Sequence, residues 1–385
     1  MHDGLQWRPN DEVLVTNESG KVESWISDAE AGSDIQYFDG LLCPGFVNAH
    51  CHLELSHLKG HIPPQMGMVP FIQQVMQLKR FRLPEKEAAM QEALTEMRTN
   101  GIVAVGDISN TTDSIIPKME TDILFHHFIE ISGFMPCAAE DRFQAGSMVV
   151  NAFRESFPQA PVSLTPHAPY SVSPALLQKI QEAAGDDILS FHLMESEEEL
   201  LFFREKLGDF MQLYAHLGVR LDFFTAPGIN PLRHLWPVMK NHPKWLLVHN
   251  TELGLHDLEW LETNGADWTN LHWCLCPGAN QYINYAMPAL HRFRNQFPLQ
   301  LCLGTDSLAG NHFLNPLYEM RLLQKLGKLN DLGYLLQMAT YNGARALGME
   351  EKVGSLTAGK KPGLLHLTGL VGDQITPQTK TQRIL

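Results

Sequence analysis

Short apolar runs recur along the chain, and each is followed by a turn and then by an amphipathic segment. The predicted strands are one run ending at His50–His52 and the segments 101–109, 123–133, 162–169, 188–196, 245–252, 271–280 and 299–308. Between them, segments such as 85–100 and 173–185 repeat apolar residues every three or four positions, which predicts helices. Eight strand-then-helix repeats predict a parallel sheet that closes into a (β/α)8 barrel.

The two ends of the chain follow a different pattern. Residues 1–43 and 353–385 contain short alternating strands broken by turn residues, and neither end can bury a core alone. We therefore predict that the ends pair into one small β-sandwich. Residues 44–352 are then the barrel.

Composition narrows the function classes. The 385 residues are 44% hydrophobic and 19% charged, which is typical of a globular protein, and the net charge is −14. Nucleic acids and anionic membranes require clustered cations, so we predict neither as a partner and expect a small-molecule substrate. The N-terminal sequence shows no signal-peptide pattern, and the six cysteines are scattered. Both features predict a cytoplasmic protein with reduced thiols.

Polar residues cluster at the carboxyl ends of the predicted strands, where barrel enzymes place their chemistry. In chain order they are His50, His52, His167, His192, Glu195, His249 and Asp306. Each of these histidines is compatible with a hydrogen-bonded core position, and Asp306 with a helix cap. Taken together, they predict a shell of three histidines and one carboxylate with an open position for water. Such a shell suits one catalytic Zn²⁺ or Fe²⁺.

Several segments carry a family resemblance over nearly the whole chain. "PGFVNAHCH", "FHLMES", "LVHN", "LGTDS" and the closing "VGSLTAGKKPGLL" resemble the amidohydrolase superfamily. The resemblance implies the same barrel with a two-part β-sandwich. Strand 4 ends in "TPHAPYS", without the lysine that bridges two metals in binuclear members, which implies the mononuclear deaminase branch. Homodimers are common in this superfamily, so the resemblance also allows a homodimer.

The resemblance also implies roles for single residues. "PHAPYS" is similar to the substrate-contacting segment of S-adenosylhomocysteine/methylthioadenosine deaminases, which makes His167 a substrate ligand. His192 and Glu195 match a metal ligand followed by a proton shuttle. "HCHLELS", "PFIQQVMQLKR" and "HLMESEEE" resemble a group that includes aminodeoxyfutalosine deaminases. Many relatives have Cys-Pro-Arg-Ser-Asn after strand 7, whereas this chain has Gly278 in place of the arginine.

The resulting hypothesis is a metal-dependent deaminase of an amino-substituted aromatic heterocycle that releases ammonia. The proposed ligands are His50, His52, His192 and Asp306. Asp306 accepts a proton from water, His249 orients that water, and Glu195 protonates the ring nitrogen. Asn280 and Ser307, at two strand ends, are expected to line the substrate pocket.

Two rival functions remain open from the sequence. One keeps the metal and changes the leaving group, which gives a chlorohydrolase or a cyclic amidase. The other is a catalytically inactive barrel that acts as a binding protein. Two carboxylates are also unresolved: Glu54 either caps a helix, which we favour, or reaches substrate, and Glu130 has no assigned role.

Overall fold

The structure is a computed structural model that describes residues 1–78, 82–297 and 299–385. Lys79 and Arg80, the last residues of the "PFIQQVMQLKR" segment, lie outside the described residues. Among the described helices, none combines the length and the apolar character that crossing a membrane requires.

Eight parallel strands form the barrel and confirm the eight predicted strands. They are β4 (Phe46–Cys51), β5 (Ile102–Ser109), β6 (Leu124–Ile131), β7 (Val162–Pro166), β8 (Leu189–Leu193), β9 (Trp245–His249), β10 (Leu271–Leu275) and β11 (Gln300–Leu303). Hydrogen bonds pair them in the orders β4-β5-β6-β7 and β8-β9-β10-β11. The strands are almost completely buried, as expected where helices cover a parallel sheet.

Two sets of hydrogen bonds close the barrel between these four-stranded halves. Between β7 and β8, Thr165 Oγ1 accepts from Ser190 N at 2.7 Å, and His192 N donates to the carbonyl oxygen of His167 at 2.9 Å. Between β11 and β4, Thr305 N donates to Asn48 Oδ1 at 3.0 Å. The closure joins the first and last strands, so residues distant in sequence meet at one end of the barrel.

Helices pack around the strands. In chain order they are α1 (Met68–Leu78), α2 (Leu83–Thr99), α3 (Ile115–Met119), α4 (Ala139–Ser156), α5 (Pro174–Ala184), α6 (Glu197–Glu205), α7 (Asp209–His216), α8 (Pro231–Met239), α9 (Leu255–Thr263), α10 (Pro277–Asn284), α11 (Pro316–Leu322), α12 (Leu332–Ala339) and α13 (Tyr341–Ala346). Their starts follow local chemistry: α5 begins with Pro174, and the preceding Ser173 side chain accepts from Leu176 N.

The chain ends pair beside the barrel. An antiparallel hairpin joins β1 (Glu12–Thr16) to β2 (Val22–Ser27), and β12 (Leu364–Thr368) lies between β3 (Leu41–Pro44) and β13 (Lys380–Arg383). Val22, Leu356 and Leu364 form a small core between them. The fold class is therefore confirmed, whereas the domain limits 43/44 and 352/353 stay a prediction.

Gly45 is the single residue between the terminal sheet and the barrel. A Cβ atom there would lie 2.3 Å from Val103 Cγ1 and 2.6 Å from the carbonyl oxygen of Pro362. The chain therefore passes from β3 into β4 through a space that admits only glycine, and this passage aims the first barrel strand and its two histidines.

Candidate metal centre and active-site cavity

Four of the predicted residues meet at the carboxyl ends of the strands. Residues at i and i+2 share a face of an extended chain, so β4 directs His50 inward and the residue just after the strand, His52, follows it. His52 Nε2 lies 3.1 Å from His50 Nε2 and 3.2 Å from His192 Nε2. Asp306 Oδ1 lies 3.8 Å from His50 Nε2 and 3.5 Å from His52 Nε2. Strands 1 and 8 of the barrel therefore bring His50, His52 and Asp306 together as one candidate metal group, and His192 of strand 5 adjoins this group through His52.

The donor set fits a divalent metal. Zinc held at about 2.0–2.1 Å by four tetrahedral ligands places those ligands roughly 3.3 Å apart. The measured separations of 3.1–3.8 Å bracket this value. His192 Nδ1 donates to the carbonyl oxygen of His167 at 2.9 Å, so its Nε2 lone pair points into the cluster. A cation satisfies such a group of converging lone pairs, and the protein side chains alone do not.

The backbone of the strand ends is strained at the residues that carry chemistry. His249 and Asp306 have φ values of 70° and 57°, and Met194, just before Glu195, has 54°. These left-handed conformations are unfavourable for side chains with a Cβ, and they persist where other contacts impose them. Asp306 is held by its own N–H, which donates to the carbonyl oxygen of His50 at 3.0 Å.

Burial dominates the electrostatics of the centre. Burial lowers the pKa of His50 well below its ordinary value, and the neighbouring histidines, His192 foremost, lower it further. Burial raises the pKa of Asp306 to about 7. The pKa of Glu195 is raised well above its ordinary value, first by burial and then by the charge of Asp306. Burial and the neighbouring carboxylates therefore favour the protonated form of Glu195.

His249 lies between Glu195 and Asn280. Its Nε2 is 3.4 Å from Glu195 Oε1, and its Nδ1 accepts from Asn280 Nδ2 at 3.3 Å. This acceptor role places the ring proton on Nε2, toward Glu195. Asn280 is 1% exposed and lies behind His249 rather than on the cavity wall. The position favours orienting the imidazole over the substrate contact that the sequence suggested.

Glu199 is a site residue that sequence reasoning missed. It lies in the acidic run at 196–200, yet it is fully buried, and its Oε2 accepts from Glu195 N at 2.9 Å. Ser196 Oγ in turn accepts from Glu199 N at 3.3 Å. The Ser-x-x-Glu spacing of a helix-capping box was the available signal.

A cavity of about 490 Å³ opens above the donor cluster. His52, His192, Glu195, His249 and Asp306 form part of its wall. His167 and Ser307 also line it, in agreement with their predicted positions. The remaining wall is mostly apolar and includes Leu55, Met68, Phe71, Ile72, Val75, Met76, Phe134, Met135, Leu213, Leu217 and Val219. An apolar cavity with a few converging polar groups is typical of a small-molecule site.

The segment after strand 7 faces away from this cavity at position 278. A Cβ on Gly278 would lie 2.6 Å from both Asn311 Nδ2 and Glu319 Oε1, and Gly278 N donates to Glu319 Oε2 at 2.6 Å. Glu319 and Asn311 thus occupy the direction that a side chain would take. Gly278 itself is not part of the cavity wall.

Glu54 does not cap a helix. Its carboxylate accepts from Asn110 N at 3.1 Å and from Thr111 N at 3.2 Å, in the loop that follows β5. The predicted helix cap is therefore wrong, because the carboxylate reaches across to the next strand end. It joins the loops after the first two barrel strands.

The fold and the site define a barrel hydrolase of the metal-dependent class. A sequence model of the amidohydrolase family matches residues 41–381, and the chain belongs to this family. It is 26% identical over 351 residues to 5-methylthioadenosine/S-adenosylhomocysteine deaminase of Halalkalibacterium halodurans, covering 84% of this chain and 73% of the relative. It is 24% identical over 320 residues to aminodeoxyfutalosine deaminase of Deinococcus radiodurans, covering 80% and 73%.

Two solved structures share the fold. Helicobacter pylori aminofutalosine deaminase in complex with methylthio-coformycin superposes with a TM-score of 0.77 at 23% identity, covering 95% of this chain and 89% of that one. A mutant of atrazine chlorohydrolase from Arthrobacter aurescens, complexed with zinc and atraton, gives a TM-score of 0.71 at 16% identity, covering 93% and 83%.

Proposed function

We propose that this protein is a metal-dependent hydrolytic deaminase of an amino-substituted aromatic heterocycle, with ammonia as a product. The observation that carries the proposal is the position of Glu195, a buried carboxyl group 3.4 Å from His249 Nε2 on the wall that also presents the metal donors. A buried carboxyl group in a position that favours its protonated form can serve as the acid that a ring nitrogen requires when its neighbouring carbon is attacked.

His50, His52, His192 and Asp306 are the proposed ligands of one divalent metal. Bound there, the metal supplies Lewis acidity that lowers the pKa of water toward neutrality. Three imidazole nitrogens and one carboxylate suit both Zn²⁺ and Fe²⁺, and we propose Zn²⁺ because the structurally similar atrazine chlorohydrolase is complexed with zinc. Elemental analysis of protein purified from cells grown with both metals tests this assignment.

The side chains of this chain divide the proton transfers. Asp306 accepts the proton of the attacking water, and His249, with its Nε2–H directed into the site, orients that water. Glu195 donates its proton to the ring nitrogen, which prevents negative charge from building up in the ring. The proton from Asp306 then reaches the amino group, ammonia leaves, and the hydroxyl proton returns to Glu195 as the carbonyl forms.

The proposed substrate is purine-nucleoside-like. His167 and Ser307 line the cavity next to the donor cluster and are the proposed contacts to the heterocycle. The long apolar wall suits a substituent larger than the ring alone. The deaminase relatives that act on methylthioadenosine or aminodeoxyfutalosine support this class, and 6-aminodeoxyfutalosine is one candidate. A homodimer and a cytoplasmic location stay predictions.

The test is ammonia release by the zinc-loaded protein from adenosine, methylthioadenosine, S-adenosylhomocysteine, aminodeoxyfutalosine, guanine, cytosine and amino-pterins. We expect one strong substrate. Glu195→Gln should keep the metal and lose at least about a hundredfold in kcat, because it removes the general acid. Glu197→Gln, an exposed neighbour in the same acidic run, is the matched control and should keep full activity.

Two results contradict the proposal. Near-normal turnover in Glu195→Gln removes this residue from proton transfer. Silence across the panel with metal bound, together with chloride release from a chlorinated triazine or opening of a cyclic amide, assigns the site to the chlorohydrolase or cyclic-amidase chemistry instead.

A further inference from the structure

The turn that carries Glu195 is tightly bent. Met194, just before it, has a φ of 54°, and Ser196, just after it, already caps α6 by accepting from Glu199 N. Glu195 is thus the single residue between a left-handed conformation and the cap of a helix. A residue with a Cβ keeps a left-handed conformation only where other contacts impose it, so neighbouring segments have to hold this turn.

The backbone before Glu195 is bound to the segment that follows β9. Glu252 N donates to the carbonyl oxygen of Met194 at 2.9 Å. Since β9 ends in His249, this bond joins the turn before Glu195 to the strand end that carries the imidazole. The bond fixes the chain up to Met194 and leaves the N–H group of Glu195 to another acceptor.

Glu199 supplies that acceptor from α6. Its Oε2 accepts from Glu195 N at 2.9 Å. The turn is therefore held on both sides, by Glu252 N at the carbonyl group of Met194 and by the Glu199 carboxyl group at the next N–H. Glu199 is fully buried and does not line the cavity, so it acts on the turn and not on a ligand.

The burial of Glu199 is costly. Burial raises the pKa of its carboxyl group to about 8, although the backbone N–H groups of Glu195 and Met194 lower it. Hydrogen bonds only partly offset the free energy of burying such a group, so stability alone does not account for a carboxyl group here. An ionised and a protonated carboxyl group both keep an acceptor oxygen, so the contact with Glu195 N is available in either state.

We propose that Glu199 is a positioning residue that holds the Glu195 carboxyl group beside His249 by binding the Glu195 backbone N–H. The inference rests on the proposed function, in which Glu195 protonates the ring nitrogen. Glu195 Oε1 lies 3.4 Å from His249 Nε2, and proton transfer requires separations close to hydrogen-bond contact. Because Glu195 follows a bent turn, a change in its backbone direction moves the carboxyl group, and a displacement of about 1 Å can cost about a hundredfold in rate.

The first test is a double-mutant cycle on the zinc-loaded protein. Glu199→Met removes the acceptor at similar side-chain length, and we expect kcat to fall about tenfold to a hundredfold while KM changes less than about threefold. Glu199→Gln keeps an acceptor oxygen and should keep kcat within about threefold. In the Glu195→Gln background, Glu199→Met should change kcat less than about twofold, because the acid that it positions is gone. Glu197→Met, the same change at an exposed position of α6, is the matched control.

The second test measures the position directly and requires no substrate. Crystal structures of the zinc-loaded unchanged protein, Glu199→Met and Glu199→Gln give the separation between Glu195 Oε1 and His249 Nε2. We expect this separation to increase by about 1 Å in Glu199→Met, which is the displacement that accounts for the expected loss of rate, and to stay the same in Glu199→Gln. Glu199→Asp, whose carboxylate is one methylene too short for Glu195 N, replaces Glu199→Met in both tests if Glu199→Met does not fold.

The outcomes separate this inference from the proposed function. An unchanged separation in Glu199→Met overturns the inference, whatever the substrate is. A loss of kcat that is equal with Glu195 and in the Glu195→Gln background also overturns it, because Glu199 would then act on the fold or on the metal. An increased separation, in a protein that releases ammonia from none of the amines, supports positioning by Glu199 and overturns deamination.

Discussion

Two buried polar clusters in this barrel differ in how their hydrogen-bond donors and acceptors are paired. In the first, Lys118 Nζ lies 2.6 Å from Asp107 Oδ2, 2.9 Å from Ser109 Oγ and 3.4 Å from His127 Nδ1. Three N–H donors thus meet three acceptors, and Asp107 Oδ1 also accepts from Leu53 N at 2.8 Å. Within the protein, the Lys118 ammonium group therefore has a partner for each of its three N–H donors.

The second cluster, the metal-donor candidates His50, His52, His192 and Asp306, places hydrogen-bond acceptors next to one another. His52 Nε2 lies within 3.5 Å of His50 Nε2, His192 Nε2 and Asp306 Oδ1, so lone pairs of several acceptors converge around it. The comparison teaches that burial of polar groups does not by itself mark a functional site. A cluster in which each donor has an acceptor is structural, whereas a cluster in which several lone pairs converge is suited to bind a metal ion.

The largest expected effect separates activity from stability. His52→Ala removes one converging donor and should reduce metal binding and lower kcat by about a thousandfold or more. The metal-free protein should keep its free energy of unfolding within about 1 kcal/mol, because the removed imidazole lies on the cavity wall rather than in the packed core. Urea unfolding with and without chelator, beside an activity assay, measures both quantities. A large loss of stability in the metal-free variant would show that the histidine cluster, like the Lys118 cluster, stabilises the fold.

The next effect concerns the matched cluster. Lys118→Met leaves Asp107 buried without its cation and should cost about 3–5 kcal/mol of unfolding free energy. Lys118→Met combined with Asp107→Asn should recover part of this loss, since Asn keeps an acceptor for Leu53 N and carries no charge. Equilibrium urea unfolding of both variants gives the coupling. A single variant as stable as the unchanged protein would show that the pair contributes nothing.

The sequence predicted most of the fold, and it singled out the candidate metal donors whose positions the structure describes. Alternation of apolar runs with helical periods located all eight barrel strands, because strand and helix periods differ strongly. His50, His52, His192 and Asp306 were identifiable because strand ends of a barrel converge by topology alone. This required no knowledge of packing.

The rest depended on contacts between distant segments. The local sequence does not indicate that the Glu199 side chain accepts from the backbone of Glu195. Nor does it indicate that Asn280 lies behind His249. The acidic run at 196–200 has the composition of a solvated helix start, and only packing shows which of its carboxylates is buried. The Lys118–Asp107 pair was missed for the same reason, since its partners come from different elements.

Glu319 shares features with both clusters. Its two oxygens accept N–H groups from Gly278 and Asn311, but among the described residues it forms no ion pair. Burial raises its pKa to about 8, above the ordinary 4.5 of the unfolded chain. The folded state therefore favours the protonated form, and this stability is present below pH 4.5 and lost as pH rises to about 8. Glu319→Gln should remove a few kcal/mol of pH dependence between pH 5 and pH 8.

Urea unfolding at pH 5, 6.5 and 8 measures this slope, and only the slope is compared, because Gln also changes one hydrogen bond. Glu259→Gln, an exposed change on α9, controls for the loss of one charge. Identical slopes for the unchanged protein and Glu319→Gln would mean that Glu319 stays ionised when folded. Glu319 would then resemble Asp107, a buried carboxylate whose charge is balanced by its partners.

The smallest effect tests whether position 278 is structural or faces substrate. Gly278→Ala places a Cβ 2.6 Å from Glu319 Oε1 and should cost about 1–3 kcal/mol, because the Glu319–Asn311 pair must move. Gly254→Ala, where a Cβ has no atom within 4 Å, is the control and should cost less. Since Gly278 does not line the cavity, KM for the best substrate should stay unchanged. A changed KM with unchanged stability would instead put position 278 in contact with substrate, as the arginine of the relatives suggests. Position 278 would then belong to the ligand-binding part of the barrel and not to its structural part.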